Sequence, residues 1–149
     1  MNFTAKEDYG IRAVLDIALN QRNAPIQARE IAARQNIPEQ FLEQLLSALR
    51  RAGIVRSIRG AAGGYDLGRP AQRILIGDIL RALSGPIVPL QALSGEDLMH
   101  RPEREQSSVS HFWAELRRAI EGVVDRMTVQ DLVELELGAK ETQSFMMNI

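Results

Sequence analysis

Not one of the 149 residues is a cysteine. Disulfides, thiolate zinc sites, cysteine-ligated iron–sulfur clusters and thiol nucleophiles are therefore excluded within this chain. No stretch approaches the roughly 20 apolar residues that cross a bilayer, so no membrane partner is expected. The start, Met1-Asn2-Phe3-Thr4-Ala5-Lys6-Glu7, lacks the basic-then-apolar layout of a secretory signal, and a cytoplasmic protein is the expectation. Internal repeats and low-complexity tracts are also missing. With 45% hydrophobic residues the chain supports one compact domain, or a small domain plus an oligomerisation arm.

Catalytic constellations are equally scarce. No Ser/His/Asp triad spacing occurs, and the glycines at 60–64 fall between strands rather than before a helix, a poor match for a nucleotide cradle. His100 and His111 read as surface residues. With Glu96, Asp97, Glu103 and Glu105 they offer oxygen and imidazole donors, but no compact ligand motif joins them and solvated loop charges are the commoner case. No metal site, no cofactor and no enzymatic activity are predicted.

Net charge is also small, at −1, until the chain is divided. Residues 1–75 hold 11 Lys and Arg against 7 Asp and Glu, and residues 76–149 hold 7 against 12. Between 50 and 73, Arg50, Arg51, Arg56, Arg59, Arg69 and Arg73 face only Asp66. A local basic patch is what phosphate binding requires, and the whole-chain charge conceals it.

That patch borders two short helices and a hairpin. Thr4-x-x-Glu7 is a capping-box pattern before Tyr9, Ile11, Val14, Leu15, Ala18 and Leu19, which predicts a first helix over about 4–21. Ala28 to Gln35 is a short helix ending near Asn36, its start weakly signalled by Gln27. A third helix opens at Pro38, taken as its first helical position, and closes at Gly53. It carries Leu42, Leu45, Leu46 and Leu49 on one face and Glu39, Gln40, Glu43, Gln44, Arg50 and Arg51 on the other. Ile54 to Arg59 reads as a strand, Gly60-Ala61-Ala62-Gly63-Gly64 as a turn, and Tyr65-Asp66-Leu67 as the return. A further helix is expected over about 78–84, stopped by Gly85-Pro86.

The second half is simpler. Residues 85–107 show no sustained period and read as a loop, long enough to be functional or disordered. Val109, Trp113, Leu116, Ile120, Val123 and Met127 then follow steps of 4, 3, 4, 3 and 4, the seam of a coiled-coil-like pair. Thr128-x-x-Asp131 caps another short helix, and the tail from 138 shows no clear pattern. The expected fold is mainly α with a small β-hairpin wing. A winged helix–turn–helix domain occupies 1–84 (helix–turn–helix about 28–51, wing about 54–68), with dimerisation helices over 108–137 and a tail over 138–149.

This arrangement points to double-stranded DNA. Gln40 and Gln44 can pair bidentately with adenine, and Glu43 can accept from cytosine N4. Phe41 packs inward or touches a thymine methyl. Arg34, Arg50, Arg51 and Arg56 are candidates for phosphate contacts, which position without specifying. Arg59, beside the turn, suits a narrow minor groove, and Gly60, Gly63 and Gly64 permit close backbone approach. A two-fold homodimer reading a pseudopalindromic operator is expected, since one recognition helix rarely binds tightly enough. Such a protein would regulate transcription, as a repressor tuned by a small-molecule or protein effector. The alternative is a winged-helix protein-interaction module whose basic face is incidental.

Over residues 1–135 the chain resembles the Rrf2 family of bacterial winged helix–turn–helix transcription regulators. The resemblance is carried by Thr4–Ala18, Ile31–Leu49, Ala52-Gly53-Ile54-Val55, Arg59-Gly60 with Gly63-Gly64-Tyr65, and Ile76-Gly77-Asp78-Ile79, in matching order and spacing. It implies a dimeric DNA binder with a long crossed dimerisation helix, and DNA contact through Gln40, Phe41, Glu43, Gln44 and Arg59. Two departures stand out. Typical members have a more glycine-rich wing tip, where this chain has Ala61 and Ala62. Many relatives also bind an iron–sulfur cluster through three cysteines before the dimerisation helix, the first falling near Ala92 here. The resemblance further places Asp8 where some cluster-binding relatives supply a carboxylate ligand; without thiolates it reads as an exposed helix residue.

Overall fold

The computed structural model describes residues 3–21, 24–87 and 108–148. Most of the loop expected over 85–107, including Ala92 and the carboxylates and His100 between 96 and 105, lies outside the described residues.

Helix α1 (Ala5–Asn20) begins where the capping pattern places it. Thr4 Oγ1 accepts from the Lys6 N–H at 3.3 Å, and the Glu7 carboxylate accepts the Thr4 N–H at 2.8 Å. Helix α2 (Ala28–Gln35) follows, its missing side-chain cap offset by Glu30, which accepts the Gln27 N–H at 3.0 Å. It stops at Asn36, whose φ of 53° is left-handed, a conformation asparagine tolerates better than most residues.

Helix α3 (Glu39–Arg51) starts one residue later than expected. Pro38 has an extended ψ of 127° and stands just outside the helix, where its carbonyl accepts the first helical bond, from the Leu42 N–H at 2.9 Å. At the other end Gly53 takes φ 74°, its N–H donates to Arg50 O, and the Ile54 N–H donates to Leu49 O, both at 3.0 Å. This paired closure satisfies carbonyls the helix leaves open and turns the chain straight into the hairpin.

Strands β1 (Val55–Ile58) and β2 (Gly64–Leu67) pair antiparallel, Arg56 opposite Asp66 and Ser57 opposite Tyr65. The pattern foretold the hairpin but not its third partner. Ile26 bridges to Tyr65, with N–H···O distances of 2.8 and 2.7 Å in the two directions, and so fastens the segment between α1 and α2 to the wing. A 3₁₀ turn (Ala71–Arg73) leads into α4 (Ile76–Ser84), two residues longer at its start than expected because Asp78 accepts the Leu75 N–H at 3.0 Å.

Helix α5 (Ser108–Val124) and helix α6 (Val129–Met147) complete the described chain. The Thr128/Asp131 cap of α6 is present, at 3.1 and 2.9 Å. The helix then runs through Gly138 to Met147, although the sequence shows no clear pattern from 138. No apolar period marks this stretch, though Ala139, Lys140, Glu141, Gln143 and Met146 within it are good helix formers.

One core holds these elements together. Val14 and Ile17 of α1, Ile31 of α2, the four leucines of α3, Ile54 and Val55, Ile74, Ile79 and Leu83 near and on α4, and Val129 and Val133 of α6 are buried in it. Glu7 and Asp16, buried on α1, join other elements by polar bonds instead. Among the described residues no helix is long and apolar enough to cross a membrane.

Candidate nucleic-acid interface

Burying Leu42, Leu45, Leu46 and Leu49 turns the opposite face of α3 outward. Glu39, Gln40, Glu43, Gln44, Arg50 and Arg51 are all exposed. Gln40, Glu43, Gln44, Ser47 and Arg51 line one shallow concavity on this face. Ser47 was not singled out from sequence; its place one helical turn beyond Glu43 and Gln44 was the available signal. Phe41 is half-buried and meets Tyr9 of α1 edge to face, ring centroids 5.8 Å apart. It sets the seat of the recognition helix, with the inward packing the stronger reading of its role.

The arginines divide by what they already hold. Among the described residues Arg50, Arg51, Arg59 and Arg73 have no ion-pair partner, so their charge faces outward uncompensated. Arg56 is paired with Asp66 at 2.8 Å across the two strands. Arg69 is paired with Asp78 at 2.8 Å.

Arg34 departs most from the phosphate-binding role read for it in the sequence. Its Nε donates to Asp16 Oδ2 at 3.0 Å and Oδ1 at 3.2 Å, and its Nη2 to Oδ1 at 2.8 Å. Hydrogen bonding to Asp16 raises its pKa further against the opposing effect of burial. A buried aspartate on α1 explains the arginine as the clasp between the first two helices. Spacing alone did not reveal this, because the partners are 18 residues apart.

The wing glycines divide too. Gly60 is exposed at the tip with φ 115°, beside the free Arg59. Gly63 is buried: a side chain there would strike the carbonyls of Ile58 and Gly60. At Gly64 (φ 155°) it would strike the backbone of Ile26. Close approach was expected at these two positions toward DNA, but what approaches them is the protein's own chain.

The result is an exposed polar helix face and an arginine-bearing hairpin tip, carried on a helix–turn–helix whose seats are fixed by Phe41 and Asp16. Residues 3–135 match the Rrf2 family, described as iron-dependent transcriptional regulator. The chain belongs to the Rrf2 family. HTH-type transcriptional regulator CymR of Bacillus subtilis (strain 168) is 37% identical over 145 residues, 97% of this chain and 99% of that one. HTH-type transcriptional regulator IscR of Serratia proteamaculans (strain 568) is 34% identical over 134 residues, 89% of this chain and 79% of that one. The solved structure of CymR, the global cysteine regulator of B. subtilis, is 36% identical and superposes with a TM-score of 0.77, covering 91% of this chain and 98% of that one. This Rrf2 protein is thus a DNA-binding transcription regulator with a winged-helix fold, and its relatives are regulators rather than enzymes.

Iron is part of the family description, and the donors available here do not fit a thiolate-held cluster. The chain has no cysteine to offer. Asp8 is exposed and bonded to Arg12 at 2.9 Å. Among the described residues no three His, Asp or Glu side chains are grouped as metal ligands.

Proposed function

We propose that this regulator acts as a homodimer on a pseudopalindromic operator in duplex DNA and represses by occupying it. The observation that carries the reading is the outer face of α5. Val109 is 58% exposed and Val123 52%, Leu116 is exposed with them, and α5 contributes no fully buried residue; Met127, expected on the same stripe, is exposed but lies beyond the helix end at Val124. Trp113 and Ile120 are half-buried, and Phe112 meets Trp113 edge to face at 5.1 Å. A second copy would cover this 4-3-4-3 stripe from Val109 to Val123 knob into hole and present two α3 faces on one side of a duplex.

In this reading Gln40, Glu43 and Gln44 contact base edges, Arg50 and Arg51 hold phosphates, and Arg59 enters the minor groove from the wing. An effector, small molecule or protein, then acts by changing the separation of the two recognition helices. CymR of B. subtilis is a global cysteine regulator, which makes cysteine the first small molecule to try. The reading calls for no bound metal, so elemental analysis of the purified protein should return none in stoichiometric amount.

Sedimentation combined with selection of bound genomic fragments tests the proposal. Dimers and fragments sharing two inverted halves are expected. A monomer, or sites without symmetry, would overturn it.

A further inference from the structure

Helix α5 has no fully buried residue and meets the core at its last residue, the half-buried Val124, so its direction relative to the DNA-reading head is set where it ends. There Arg81 of α4 grips Asp125 with a two-pronged fork, Nη1 donating to Oδ1 at 2.7 Å and Nη2 to Oδ2 at 2.6 Å. The chain just beyond is stitched to the segment leading into α4. The Ile76 N–H donates to Met127 O and the Val129 N–H to Ile74 O, both at 2.9 Å, and Leu75 bridges to Thr128. Val129 and Val133 then enter the core of the head.

Gly77 shows that the fork has been given room. It is buried in the first turn of α4 with an ordinary helical backbone, so left-handed freedom does not explain a glycine there. Glycine within a helix is less favourable than alanine. A side chain at 77 would strike the Asp125 carboxylate and crowd the Arg81 guanidinium. The glycine, the arginine and the aspartate are parts of one joint.

A pair this exposed adds little to stability. A bidentate fork does fix direction. Helix α5 has 17 residues, a lever of roughly 25 Å at the usual helical rise. A tilt of about 10° at one end moves the other by roughly 4 Å, more than the ~3.4 Å step between base pairs.

We propose that Gly77, Arg81 and Asp125 are positioning residues for operator recognition: they lock the angle between reading head and dimer seam, and so set the half-site separation the protein accepts. This rests on the homodimer reading above. It predicts residues that alter operator choice without touching DNA.

The test uses duplexes built from the half-site the wild-type protein selects, with the spacer lengthened or shortened by one and two base pairs. Wild type should lose at least about tenfold in affinity per base pair of misfit, within the usual cost of a wrong base pair. Asp125→Asn and Gly77→Ala should reduce that penalty below about threefold or move the optimum by one base pair. Both should still sediment as dimers. Arg81→Lys keeps the charge, loses the fork, and should shift the profile the same way. If Gly77→Ala does not fold, the other two variants carry the test. Dimeric variants with the wild-type spacer profile would overturn the joint alone, as would a wild type indifferent to spacing. A monomeric wild type would overturn both the joint and the dimer.

Discussion

Asp16 and Arg34 form a clasp in which the carboxylate is 2% exposed while the guanidinium reaches half out to solvent. Gln35 adds a further bond to Asp16 Oδ2 at 2.9 Å. Without Arg34 the aspartate would remain buried with most of its partners gone. Breaking such a pair from one side is far costlier than replacing both members.

Arg34→Ala should therefore destabilise the fold by about 2–4 kcal/mol, measured by denaturant unfolding. DNA affinity of the fraction that remains folded should change little. A variant of wild-type stability that had lost DNA affinity would return Arg34 to the phosphate backbone.

Arg59→Ala should behave oppositely. The side chain is exposed and unpaired among the described residues, so stability should hold within about 0.5 kcal/mol. Binding to a selected operator should weaken by about 1–3 kcal/mol, unequally across sequences, with a shallower salt dependence. Titration at several salt concentrations reads both effects.

Gly64→Ala should damage the head rather than the DNA contact. The added methyl group meets the backbone of Ile26, and the two bonds joining Ile26 to Tyr65 must lengthen to admit it. A loss of about 1–3 kcal/mol is expected, whereas Ala61→Gly at the exposed tip should change stability by less than about 1 kcal/mol. Paired thermal melts distinguish them.

Glu7 predicts an acid-labile contact between α1 and α4. Burial works to raise its pKa, but hydrogen bonds from the Ser84 hydroxyl and from Thr4 outweigh that effect and hold the carboxyl down to about 2 from an ordinary 4.5. A carboxyl with a depressed folded pKa stabilises the fold fully above its unfolded value, and the contribution fades as pH falls through 4.5 toward 2. Unfolding free energy followed across that window should drop by up to about 3 kcal/mol. Glu7→Gln should flatten that part of the profile; an unchanged slope in the variant would remove Glu7 as the cause.

Local periodicity and end chemistry were legible in the amino-acid order. The caps at Thr4 and Thr128, the leucine face of α3, the glycine stop at 53 and the hairpin all follow from residues within a few positions of one another, where helical and strand spacing dictate which side chains share a face. The polar outer face of α3 followed from the same spacing. Contacts between distant residues were decided only by the folded chain. Nothing near Arg34 announces Asp16, nothing near Gly64 announces Ile26, and no spacing links Gly77 and Arg81 to Asp125. In each case the pairing depends on how helices and strands are packed across the core, and that arrangement sorts the arginines into those that hold the protein together and those left facing outward.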